Sequence, residues 1–111
     1  MTRPLAYITA PWGTDTYENA IIAAGYCLQV FEAGYTPVCP ALFMPTFLKS
    51  DVPEHIKGRR EMCDELIKRS RIVIVCGDAV DDEIKSDIAM AKRRHITYTT
   101  LTSLLALSGL G

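Results

Sequence analysis

Five carboxylates, Asp78, Asp81, Asp82, Glu83 and Asp87, follow directly on a run of four β-branched residues, Ile72, Val73, Ile74 and Val75. The aliphatic run reads as a strand buried on both faces, and Gly77 permits the turn that ends it. Beyond the turn the spacing becomes helical. Ile84, Ile88 and Ala91 share one face, and Asp87 falls on that same stripe. Acids in a first helical turn complement the backbone dipole, and a short carboxylate accepts hydrogen bonds from the free N–H groups. Asp81 or Asp82 is thus expected as the cap, and capping with solvation accounts for Asp81, Asp82 and Glu83. Asp87 is different, because a carboxylate on an inward face is costly unless paired. It also stands beside the carboxyl end of a central strand, where open α/β sheets take their ligands. The chemistry on offer there is that of a nucleophile or a general acid/base. Asp78, just past the strand, is open to either reading.

A second group lies in Tyr7–Gly13, YITAPWG. A loop after the first strand of such a sheet opens onto the ligand crevice. Tyr7 can hydrogen-bond a ligand or a carboxylate, or simply fill the core, and Trp12 can stack on a base or plug the packing. Neither G-x-G-x-x-G nor a P-loop is present, which speaks against dinucleotide and ATP sites. Glu18 and Asn19 open the next helix towards the same end of the sheet, and Asn19 is a polar contact for a ligand or a cap. Asp64 flanks an apolar stripe and reads as solvated or salt-bridged.

Positioning these groups requires strands and helices in alternation. Leu5–Ala10 reads as the first strand, broken by Pro11-Trp12-Gly13. A helix starts at Asp15 or Thr16 and ends at Gly34, with Tyr17, Ile21, Ala24, Leu28 and Phe31 as its apolar stripe. Tyr35–Cys39 is a short strand whose Pro37 suits an edge. Pro40–Pro53 is too apolar for a linker and too rich in proline for a long helix. It is expected to fold over a pocket, meet a partner, or form a satellite of the core. Glu54–Arg69 is a helix packed through Ile56, Cys63, Leu66 and Ile67, with Lys57, Arg59, Arg60, Lys68 and Arg69 mostly solvated. His55 and His95 are expected on the surface. Ile96–Thr99 is a fourth strand and Thr102–Leu107 a last helical turn. The pattern implies a three-layer Rossmann-like α/β sandwich with a mainly parallel sheet of four to five strands, as one domain over residues 1–111.

The 111 residues are 49% apolar and 23% charged with a net charge of −1, ordinary for a globular protein. That charge gives no reason to expect nucleic acid as a partner. Cys27, Cys39, Cys63 and Cys76 form no C-x-x-C pair and read as reduced, buried thiols of a cytoplasmic protein, with no metal site and no cofactor. Neither a signal peptide nor a stretch of the ~20 apolar residues that span a bilayer is expected.

The segments YITAP, ENAIIAAGYC, GYTPVCP and GDAVDDEIKSDIAMAKRRHI, in that order, resemble the nucleoside 2-deoxyribosyltransferase-like family, and its small branch common in phage and mobile elements more closely. The resemblance spans roughly residues 3 to 100. It implies that Asp87 stands at the position of a nucleophilic helix glutamate that attacks the anomeric carbon of a sugar. Tyr7 then stands where a first-strand tyrosine orients that nucleophile, and Asp64 near an aspartate of the preceding helix. Kin of this type self-associate, so a homodimer or larger assembly is expected. The chain also departs from the pattern. Asp81 and Glu83 replace a serine and a glycine of the turn, Ala41 a histidine, Arg71 an aspartate, and Asp87 is one methylene shorter than glutamate. Displacing a nucleophile by about 1 Å can cost ~100-fold in rate, and acids in place of an N–H-lined turn weaken anion binding.

The leading expectation is therefore a protein that binds a nucleoside or nucleotide-derived molecule with little chemistry, for instance a phage protein sequestering a nucleotide immune signal. The alternative is a deoxyribosyltransferase or N-glycosidase using Asp87, and a third is an interaction domain acting through Pro40–Leu48. The expected ligand site comprises Tyr7, Pro11, Trp12, Gly13, Asn19, Asp64, Gly77, Asp78, Asp81, Glu83 and Asp87.

Overall fold

The aliphatic run Ile72–Val75 forms a central strand. In the computed structural model, which describes residues 2–11 and 16–107, four strands lie in the order β2-β1-β3-β4. They are β1 (Leu5–Thr9), β2 (Thr36–Val38), β3 (Ile72–Val75) and β4 (Thr97–Thr100), and all three pairings are parallel. Tyr7 stands between Val38 and Val73 across the sheet. The helices among the described residues are α1 (Thr16–Glu32), α2 (Pro40–Phe43), α3 (Pro53–Arg69), α4 (Asp82–Arg93) and α5 (Leu101–Leu107). Pro37 sits in edge strand β2, where a missing N–H costs the sheet least.

Side chains alternate across a strand, so each face of the sheet carries its own core. Ala6, Ile8, Ala10, Ile72, Ile74 and Cys76 pack with Ala23 and Val30 of α1 and with Leu101 and Leu104 of α5. Tyr7 and Val73 point the other way and pack with Cys63 and Ile67 of α3 and with Met90 and Ala91 of α4. The result is the α/β three-layer sandwich, with a four-stranded, wholly parallel sheet. No helix among the described residues is long and apolar enough to cross a membrane.

Two expected helix faces change. The stripe Ile21, Ala24, Leu28 and Phe31 of α1 faces outward, with Ile21 56%, Leu28 58% and Phe31 47% exposed. The buried stripe is Ala23, Tyr26, Cys27 and Val30. Both sets have helical spacing on a helix that is apolar nearly all round, so periodicity alone does not choose between them. On α3, Ile56 is exposed while Arg59 and Arg60 are partly buried and paired. Residues 40–48 are helical turns that wrap the sheet margin. Met44, in a 3-10 turn, is wholly buried in the α3/α4 core, whereas Ala41 and Leu42 pack on the α1 side. That segment is a satellite of the core. His95 is exposed, and His55 is half-buried with Nδ1 accepting from the Lys49 amide.

Candidate functional site

Asp87 is drawn inward by its own helix. Ile84, Met90 and Ala91 seat α4 on the sheet, and this turns Asp87 towards the carboxyl end of β1, where it is 4% exposed. The Tyr7 hydroxyl donates to Asp87 Oδ2 at 3.2 Å. Arg60 of α3 donates to Asp87 Oδ1 at 2.6 Å, and the Thr9 side chain is a further hydrogen-bond partner. Arg60 is the hub. It also holds Asp64 through Nε at 2.9 Å and Nη2 at 2.6 Å, and Glu83 through Nη1 at 3.1 Å. Arg59 donates to the other oxygen of Glu83 at 2.7 Å. Two arginines of α3 thus tie two acids of α4, Glu83 and Asp87, into one network with Asp64.

Burial pushes the Asp87 carboxyl above the ordinary aspartate range, and the hydrogen bonds from Thr9, Arg60 and Tyr7 only partly offset it. Burial also works against the charge on Arg60, but its bonds to Asp87 and Asp64 prevail and hold it more firmly protonated than usual. The two partners differ because the Asp87 side chain is 6% exposed and that of Arg60 27%. Burial lifts the Tyr7 hydroxyl, with the Asp87 charge adding to it, so Tyr7 remains a donor. Cys63 beneath them is pushed up to about 11, chiefly by burial, and is no nucleophile.

On the opposite face of the sheet, a cleft of about 220 Å³ opens beside the carboxyl ends of β1 and β3. Ala10 and Pro11 form one wall, Asn19, Ile22, Ala23 and Tyr26 of α1 a second, and Gly77, Asp78 and Ala79 the third. The lining is mostly apolar, with an aromatic hydroxyl, an amide and a carboxylate as its polar groups. Gly77 adopts φ +93°, and a Cβ there would meet Pro11 Cδ at 3.1 Å and the Tyr26 hydroxyl at 3.6 Å. Glycine is thus required both by the backbone and by the space. Burial, Cys76 and Asp78 together raise the Tyr26 hydroxyl above its usual range, so it too presents a proton.

Among the described residues, the expected site residues fall on both faces of the sheet. Pro11, Asn19, Gly77 and Asp78 line the cleft, whereas Tyr7, Asp64, Glu83 and Asp87 belong to the network on the other face. Asp81 caps α4, accepting from the Ile84 amide at 2.9 Å. Trp12 and Gly13 lie outside the described residues. Sequence reasoning missed Tyr26 and Ile22, which α1 turns to the cleft once its other stripe faces inward, and it missed Arg60. Helical spacing from the buried Cys63 and Ile67 puts residue 60 near the same face, and that was the available signal. No group of three or more metal-ligating side chains occurs among the described residues.

No curated protein matches the chain. Residues 4–101 match the domain of unknown function DUF7768, and the chain belongs to that family.

Proposed function

We infer that the protein binds a small molecule of nucleobase to nucleoside size in the cleft between α1 and the β3–α4 turn, without transforming it. The observation that carries this reading is the division of the site. Among the described residues, a concave, mostly apolar surface with convergent polar groups lies on the α1 face, and the residue suited to nucleophilic attack pairs with Tyr7 on the other. Small-molecule sites have that apolar-with-few-polar character, usually at ~300–1,000 Å³, and this cleft lies below that range. A volume near 220 Å³ suits one base or nucleoside better than a dinucleotide. The Tyr26 hydroxyl as donor and the Asp78 carboxylate as acceptor, over an apolar floor, match the hydrogen-bonding edge and the flat face of a heterocycle. The resemblance to deoxyribosyltransferase-like proteins supports the same ligand class, nucleosides and their phosphates. Sequestration of a nucleotide signal in the cytoplasm is the biological role we attach to it.

A second reading has one observation in its favour. Tyr7 donates to Asp87, the tyrosine–carboxylate pair that the resemblance implies for an N-glycosidic enzyme. Against it, Asp87 is 4% exposed and both of its oxygens are engaged. Each carboxylate oxygen keeps a second lone pair, so it is burial that denies substrate access.

Incubation with bases, nucleosides and nucleotides, followed by thermal shift and chromatography, separates the readings. A ligand at ~100 times its dissociation constant adds about 2.7 kcal/mol. We expect such stabilisation, the compound recovered intact, and loss of the effect in Asp78→Asn. Free base released by the wild type and not by Asp87→Asn would establish the enzyme instead.

A further inference from the structure

We propose that the outward face of α1 is a homodimer interface, in which a second copy of the chain packs antiparallel about a two-fold axis between Ala24 and Gly25. The inference is independent of the ligand reading. The face carries Ile21, Leu28 and Phe31, each about half exposed or more, and nothing charged occurs from Asn19 to Phe31. Depletion of charge with aromatic and aliphatic enrichment marks the centre of an interface, and monomers rarely leave apolar patches above a few hundred Å² uncovered. A helix of this length runs about 25 Å, comparable to the two shorter protomer extents of 30 and 27 Å. A standard dimer removes about 800 Å² per partner, under an eighth of the 6894 Å² accessible here.

The face is complementary to itself in one orientation. With the axis between residues 24 and 25, Ile21 of each copy meets Leu28 of the other, and Ala24 meets Gly25. Gly25 is exposed and a Cβ on it would meet nothing within 4 Å, so no packing within the protomer explains its small size. Two small residues at a crossing let helix axes approach closely. The same register sets exposed Glu18 of one copy over Phe31 of the other, where the Arg3 guanidinium lies 4.1 Å from the ring centroid and donates to the Phe31 and Tyr35 carbonyls. Acid thus meets base at both ends. A parallel pairing would set Glu18 against Glu18 and Glu32 against Glu32.

Sedimentation equilibrium tests the interface and its register together. The wild type is expected to be a dimer at micromolar concentration. Ile21→Lys and Leu28→Glu, both on exposed positions and so compatible with the fold by circular dichroism, should each raise the dissociation constant at least tenfold. Mixing the two variants should restore dimers, because Lys at 21 of one copy then faces Glu at 28 of the other. Gly25→Leu, harmless within a protomer, should weaken the dimer through the crossing. A monomeric wild type, a dimer indifferent to all three changes, or single variants that do not recover on mixing would each overturn the proposal.

Discussion

Asp87 holds its place through what its neighbours supply. Removing the carboxylate with Asp87→Ala leaves the Tyr7 hydroxyl without its acceptor and Arg60 short of one partner. Breaking a buried pair in this way costs about 3 kcal/mol, read as a shift of the denaturant midpoint. Tyr7→Phe removes only a donor to a charged acceptor and should cost about 1–2 kcal/mol. The pH dependence has a definite sign. Because burial holds the Asp87 carboxyl above its ordinary range, between the two values the folded protein binds the proton more firmly than the unfolded chain. This group therefore favours folding more as pH falls through its folded pKa. Asparagine cannot titrate, so the wild type should gain stability relative to Asp87→Asn on going from pH 7 towards pH 4. Movement of the gap in the opposite direction would show that pairing with Arg60 outweighs burial. The inward position of Asp87 was legible because it shares a period with Ile84, Ile88 and Ala91. The partner was not, since Arg60 lies among Lys57, Arg59, Lys68 and Arg69, and a long cation on a basic helix looks solvated until a buried acid is placed opposite it.

At the scale of elements, the turn between β3 and α4 is set by two residues with separable roles. Asp81 accepts from the Ile84 amide, and Asp81→Ala should cost about 1 kcal/mol without altering the cleft. Gly77→Ala forces a side chain into left-handed backbone and against Pro11, at about 1–2 kcal/mol, and should narrow the cleft as well. Both melting temperatures should fall, but only the second variant should also lose ligand. The cap and the glycine could be read from residue type, because each answers a local backbone need. The orientation of α1 could not. Tyr17, Ile21, Ala24, Leu28 and Phe31 form as regular a stripe as Ala23, Tyr26, Cys27 and Val30. The choice belongs to the sheet, whose face towards α1 offers Ala6, Ile8 and Ala10 and is met by the second set.

Across the whole molecule, the sheet is a partition. Strand alternation sends Tyr7 to the α3/α4 side and Ala10 to the α1 side, and two neighbourhoods that look continuous along the chain fall on opposite faces. The parallel sandwich could be inferred from strands and helices in alternation, but the face that each acid serves could not, since a turn and more than one helical turn separate Asp78 from Asp87. The partition gives the two tyrosines opposite signatures. Tyr26 offers its hydroxyl to the cleft with little structural duty, so Tyr26→Phe should abolish most of the thermal shift given by a bound nucleoside while leaving the unliganded melting temperature nearly unchanged. Tyr7 donates to Asp87 and lines no part of the cleft, so Tyr7→Phe should lower the unliganded melting temperature and keep the ligand-induced shift intact. If Tyr7→Phe were the variant that lost the shift, the ligand would have to sit against Asp87, and the binding site would belong on the α3/α4 side of the sheet.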